Sequence, residues 1–443
     1  MFTTMRNAWK VADLRKKLLF TLFILLIYRL GSAIPVPYIH TTVLNTAFAR
    51  YESTLFGMMN MMSGGAFSLA TLFALGIQPY INSSIIMQLL TIAIPALERM
   101  QKDEGEEGRK KIASITRYVT VLLGLLLGFA YYTMIRNAGA IADGGLWPAI
   151  VIILSFTAGS AFVMWLGEQI TEFGIGNGIS IILFASIVSR IPSIIRGFAT
   201  GISNWANHVE LTEEMREAGV QVIHPVVVPI IIVGMIIMIA FVVFITQAER
   251  RIPVQYAKRV VGRKMYGGQS SHIPMKVNMS GVMPIIFAQS IASFPATIAA
   301  FFPQPEKGTF WANFLDGISN ESIVYAIVLL ILIVAFSYFY AAIQFNPVEI
   351  ANNLRQNGGF IPGFRAGRPT ADFIARVLNK ITLFGAFFLG IIAILPIIVN
   401  KFISISGLAL GGTSLLIVVG VALETVQQME SQMLMRHYKG FLE

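Results

Sequence analysis

The chain runs to 443 residues, 55% of them hydrophobic and only 13% charged, with a mean hydropathy of +0.70. That balance excludes a string of soluble globular domains and points to an all-α, multi-span membrane protein whose helix bundle is itself the domain. Cysteine is absent, which excludes a disulfide framework and a thiolate metal site, and a formal net charge of +10 leaves an excess of basic residues to be placed.

Hydropathy predicts ten spans. A basic, amphipathic lead of residues 1–17, with Arg6, Lys10, Arg15, Lys16 and Lys17, precedes span one at about Leu18–Ile34. No small-residue cleavage site follows that run, the pattern of a first span and not of a removed leader. Arg29 falls near its outer end, where a snorkelling side chain is expected. The Ile34-Pro35-Val36-Pro37 sequence stops the helix. A short Met- and Gly-rich segment follows, and then span two at about Leu72–Ile94. This span carries Gln78, Asn82, Ser83, Ser84 and Gln88, polar groups that are costly in hydrocarbon unless they face other helices or water. A charged loop, Glu98–Lys111, leads to span three (about Ile115–Ile135), and span four lies at about Trp147–Leu166. The sequence Gly174–Gly178 (GIGNG) precedes span five, about Ile179–Ile195.

A polar stretch, Gly197–His224, separates span five from span six at about Val226–Ile245. A long basic loop, Gln247–Lys276, leads to span seven (about Val282–Phe302), and span eight is about Ile323–Ile343. A second long loop, Gln344–Asp372, is rich in Gly, Pro and Arg. Span nine (about Val377–Val399), span ten (about Leu408–Val426) and a short tail complete the chain. Loops of this length need a purpose beyond connection. With the N-terminus inside, 25 of the 33 Lys and Arg residues fall on the cytoplasmic side, so the positive-inside rule puts both termini in the cytoplasm.

Five spans per half would make the second half inverted relative to the first. One echo supports this: span two opens Gly76-Ile77-Gln78-Pro79-Tyr80-Ile81 and span seven opens Gly281-Val282-Met283-Pro284-Ile285-Ile286, both G-x-x-P-x-I. Inverted repeats place their working site where the halves meet. On span two, Ile81, Ile85 and Gln88 share a helical face. On span seven, Ile286, Gln289 or Ser290, and Ser293 do the same. Such residues suit either interhelical hydrogen bonding in a buried bundle or a wettable interface beside an apolar constriction.

Catalytic machinery is missing. None of the five histidines lies inside a span, and neither H-E-x-x-H nor G-x-S-x-G occurs. Gly-Lys never occurs, so there is no P-loop, and any ATP-driven work needs another protein. No Asp or Glu lies near the middle of a span; Glu424 is near an inner end. That absence weighs against an ion-coupled secondary transporter, the main alternative, and a pore-less membrane scaffold is the other.

Several stretches carry a resemblance. Ala74–Leu90 (ALGIQPYINSSIIMQLL), Gly174–Ile181 (GIGNGISI), Gln247–Arg259 (QAERRIPVQYAKR), Asn353–Gly367 (NLRQNGGFIPGFRAG) and Gly411–Glu424 (GGTSLLIVVGVALE) are similar, in the same order, to the SecY family of protein-conducting channels. The resemblance implies ten helices in two inverted pseudo-symmetric halves, residues 1–205 and 206–443, around an hourglass pore. It implies a ring of apolar side chains sealing that pore at Ile81, Ile85, Ile179, Leu183, Ile286 and Ile417, with Leu183 a mild departure from the family isoleucine. It implies a short plug at about residues 55–67, including Gly57, Asn60, Ser63, Gly64 and Gly65. It further implies a lateral gate between spans two and seven, lined by Gln78, Asn82, Gln88, Gln289, Ser290 and Phe294.

Partner docking would use Arg250, Arg251, Lys258, Arg259, Arg355 and Arg365. The partners so implied are the small membrane subunits SecE and SecG, the SecA ATPase, the ribosome, membrane lipids, and secretory precursors with their signal peptides. The implied setting is the bacterial plasma membrane, and the resemblance implies no enzymatic activity, cofactor, metal or small-molecule substrate.

Overall fold

The computed structural model describes residues 2–48, 55–102, 104–141, 145–208, 222–256, 259–261, 264–266, 270–279, 281–292, 322–403 and 411–439, with isolated residues between. A helix stands at each of the ten expected spans: Ala12–Gly31, Gln78–Ala93, Gly105–Asn137, Leu146–Phe173, Gly178–Val188 continued by Ile191–Ala206, Val227–Gln247, Met283–Ala292, Ile323–Gln344, Arg368–Ile403 and Gly411–Lys439. Among the described residues six are individually long and apolar enough to cross a membrane. The chain is thus a polytopic helical bundle.

Several boundaries differ from the expected ones. Span two begins at Gln78 and not near Leu72. Residues 63–77 form consecutive turns, because Gly64, Gly65 and Gly76 hold φ of +69°, +90° and +53° and Pro79 sets the helix start. The charged Glu98–Lys111 segment is largely helical. Pro95–Lys102 folds back from span two with a bend of 105°, and span three starts at Gly105. Charge masked this, since Glu, Lys and Arg are all good helix formers. Span five starts at Gly178 because the Asn177 side chain caps the amides of Ile179 and Ser180 at 3.1 and 3.4 Å.

One large apolar cluster unites most spans, and the close approaches are made at glycines. Gly178 lies so near the Gly167 backbone of span four that a side chain would not fit. Span ten packs against span five, and the N-terminal helix Phe2–Lys10 packs against span ten, so the first and last helices meet. That contact buries Ala8, Leu14, Ile175 and Met429 in a separate cluster.

The two long loops are joined, which their composition did not foretell. Strand β1 (Glu249–Tyr256) pairs antiparallel with β4 (Ser270–Lys276), while β2 (Arg259–Val261) and β3 (Lys264–Tyr266) form a separate hairpin. Strand β5 (Gly359–Phe360), from the second loop, adds to the free edge of β1, with Gln255 opposite Phe360 and Tyr256 opposite Gly359. Alternate residues of β1, Ile252 and Val254, turn down into a second apolar cluster with Met275, Leu354, Ile374 and Leu378. The sheet is thereby seated on the ends of spans eight and nine.

Candidate functional site

The six residues expected to form a ring come from spans two, five, seven and ten. Ile81, Ile85, Leu183, Ile286 and Ile417 are buried in the one large apolar cluster, and half-buried Ile179 packs against that cluster. The paired openings of spans two and seven share a cause. Gly76 and Gly281 both hold positive φ, at +53° and +63°, each followed by a helix with proline in its first turn. Ile81 and Ile286 therefore stand five residues beyond equivalent glycines. The echo in sequence is an echo in backbone conformation. Span ten comes close to span seven here, since a Cβ on Gly420 would stand 3.1 Å from Val282.

The plug segment forms a helix over Leu55–Met62, shorter than the expected 55–67, and then a bonded turn. The Asn60 carbonyl accepts from the Gly65 amide at 2.8 Å and from the Ser63 hydroxyl at 3.1 Å. The Asn60 side-chain oxygen accepts from the Ser68 amide at 3.0 Å, and the Ser63 hydroxyl accepts from the Phe67 amide at 3.1 Å. Gly57, Asn60 and Ser63 are buried, while Gly64 and Gly65 are half-buried. Met59, Met62 and Phe67 join the cluster that holds the ring.

Three spans hold this segment. The Ser414 hydroxyl of span ten donates to the Met61 sulfur at 2.7 Å, and the plug helix packs on span five. The Tyr131 hydroxyl of span three donates to the Phe67 carbonyl, with the two rings stacked at 4.0 Å.

The polar residues of spans two and seven do different things. Gln78 is buried and donates to Asn82 at 3.4 Å; its side-chain oxygen has no partner among the described residues. Gln88 accepts a 2.6 Å hydrogen bond from the Tyr340 hydroxyl of span eight. Gln289 donates to Thr413 of span ten at 3.0 Å. The Ser290 hydroxyl donates to the Ile286 carbonyl of its own helix at 2.9 Å. Phe294 lies outside the described residues. Tyr340 had no sequence signal as a partner for Gln88. It sits in an ordinary apolar run, 252 residues away.

Of the docking residues, Arg250 and Arg251 lie exposed on β1, with the Arg251 guanidinium donating to Glu249 at 2.7 Å. Arg355 is exposed on the helix Pro347–Gln356 and Arg365 is exposed in the turn beyond β5. The shared sheet ties together the two loops that carry these four. Arg259 contributes backbone to β2, and Lys258 lies outside the described residues.

The family model for SecY matches residues 71–426. The chain belongs to the SecY family. It is 45% identical to the protein translocase subunit SecY of Streptomyces coelicolor and 42% identical to that of Bacillus subtilis, each alignment covering 100% of both chains. Among solved structures, "The structure of a protein conducting channel" matches over 94% of this chain and 92% of that one, with a TM-score of 0.61 at 20% identity. A structure described as showing that the plug domain of SecY stabilises the closed state matches over the same shares with a TM-score of 0.64 at 19% identity. Sec61 in a canine ribosome–channel complex matches with a TM-score of 0.58 at 18% identity over 94% and 92%. At those identities the structures bear on the fold, which is that of the SecY and Sec61 channels.

Proposed function

We propose that the protein is the protein-conducting channel of a bacterial general secretory pathway, passing unfolded polypeptides across the plasma membrane and releasing apolar segments sideways into lipid. It works as a conduit and not as an enzyme. The observation that carries this reading is that the six aliphatic residues of the expected ring, from four spans, and Met59, Met62 and Phe67 of the plug segment share one apolar cluster, five of the six ring residues buried within it and half-buried Ile179 packed against it. Aliphatic side chains make no specific hydrogen bonds, so the ring can dilate around any sequence. Around no chain, an apolar constriction dewets and stops ions.

The halves, residues 1–205 and 206–443, part about the connection between spans five and six. The gate between them lies between spans two and seven. The hydrogen bond from Tyr340, which packs on Phe287 of span seven, to Gln88 of span two favours the closed form. An apolar segment of about twenty residues then leaves for lipid by ordinary partition.

Both termini and the β-sheet platform lie in the cytoplasm by the positive-inside rule. The platform's arginines dock acidic or anionic partners, a SecA-type motor ATPase or the ribosome, and small SecE and SecG subunits complete the complex. The ribosome-bound relatives among the solved structures support that reading. Ribosome docking would place arginines on RNA phosphates and weaken with salt. The small-solute transporter reading finds no support in the family assignment.

Reconstitution in liposomes with the motor ATPase, ATP and a secretory precursor tests the proposal. Protease-protected precursor is expected in the lumen, and its absence with an active motor and folded channel would overturn the reading.

A further inference from the structure

Arg29, expected near a membrane interface with its charge in water, is exposed and bonds to a neighbouring span. It stands in the last turn of the Ala12–Gly31 helix, where the C-terminal partial negative charge favours a cation. Its Nη1 donates to the Ser189 hydroxyl at 2.9 Å. That hydroxyl donates in turn to the Ser186 carbonyl at 2.6 Å, and the Ser186 hydroxyl meets the Tyr28 hydroxyl at 2.7 Å. Spans one and five are thereby joined by a short polar chain.

The turn at the end of the plug lies directly against this chain. A Cβ built on Gly64 would stand 2.7 Å from Ser189 Oγ, 2.9 Å from the Ser186 carbonyl oxygen and 3.2 Å from Arg29 Nη1. Gly64 also holds φ at +69°, so the position favours glycine on two independent grounds. A guanidinium offers several fixed donors, and Ser189 orients it. The other contacts of the plug, Met61 with Ser414 and Phe67 with Tyr131, are made to spans ten and three. Arg29 and Ser189 supply a seat on the remaining side, from spans one and five.

We infer that Arg29, oriented by Ser189, is a positioning residue that latches the plug turn at Ser63–Gly64 in its closed seat. The inference rests on the plug reading proposed above. A latch of this kind releases at little cost. Arg29 and its bond to Ser189 are exposed, so water fills the place of the plug turn when the plug moves.

The test is potassium efflux from proteoliposomes holding the full chain with its partner subunits. Four channels are compared with and without deletion of residues 55–67: wild type, Arg29→Leu, Arg29→Lys and Ser189→Ala. With the plug present, Arg29→Leu is expected to raise resting efflux by roughly threefold, the shift for loss of one close polar contact at an exposed site. Ser189→Ala should do the same to a smaller degree, and Arg29→Lys should restore part of the seal. In plug-deleted channels none of the three should add to the leak. Plug position is read separately by joining Met61→Cys to Ser414→Cys with a short crosslinker, in a chain with no cysteine of its own. The yield should fall in Arg29→Leu.

An unchanged leak in Arg29→Leu, or an equal rise with and without the plug, would overturn the latch while leaving the plug reading intact. Plug deletion that raises no leak in the wild-type chain would overturn the plug reading and the latch with it.

Discussion

The Tyr340 hydroxyl donates to the Gln88 side-chain oxygen at 2.6 Å, joining span eight to span two across 252 residues of sequence. The aromatic ring of Tyr340 packs on Phe287 of span seven at 5.0 Å, so this residue touches both the second and the seventh span. Hydrogen bonds between membrane helices average about 0.6 kcal/mol and reach about 1.7 kcal/mol. A bond of that size would hold the proposed gate closed and still release it when a signal segment arrives.

Tyr340→Phe should therefore shift the gate toward its open form by roughly fivefold, the factor for about 1 kcal/mol. Gln88→Leu should match it, and the double variant should not add to either single change. The readout is translocation of a precursor with a weakened signal peptide. Additive effects of the two substitutions would separate the residues and reject the pair as a gate contact.

Replacing Ile85 and Ile286 together by Asn puts two amides into the apolar ring, where an unpartnered buried polar group costs about 1–3 kcal/mol. Water is expected to wet the constriction, raising resting ion conductance and admitting poor signals. Single-channel recording in a planar bilayer checks this. Conductance at the wild-type level in the double variant would exclude these positions from the seal.

Arg365→Glu reverses a charge on the exposed platform without touching the bundle. Motor-driven translocation should fall several-fold, while crosslinking across spans two and eight and resting conductance stay unchanged. Arg355→Glu should behave alike, since β5 ties the second loop to β1. Binding of the motor or of ribosomes, measured at two salt concentrations, should lose part of its salt dependence. Full docking by both variants would remove the platform from partner recognition.

Gly359→Val tests whether the platform is one unit. A Cβ at this position would stand 2.9 Å from the Tyr256 ring, so the ring must shift and the β1–β5 junction is weakened. The expected result is loss of partner docking with little change in conductance. Protease cleavage within residues 344–372 should rise at the same time. Docking at the wild-type level would mean that the two loops work separately.

Much of the bundle could be read without coordinates. Hydropathy located ten helices, because each apolar run must bury or face lipid whatever its neighbours do. The G-x-x-P openings of spans two and seven were legible because glycine at positive φ followed by proline is a local backbone constraint. The ring residues stood at helical spacing within their spans. Only the resemblance of surrounding motifs to a known family singled them out from ordinary core isoleucines.

The tertiary structure decided what depends on packing between distant segments. It joined two loops about a hundred residues apart into one sheet, turned Gln289 to Thr413, and bonded Gln88 to Tyr340. It also set Arg29 against Ser189, beside the turn at Gly64. Hydropathy and periodicity report which face of a helix avoids water. They carry no information about which helix that face will meet, since any apolar surface satisfies another equally well until shapes and hydrogen bonds choose between them.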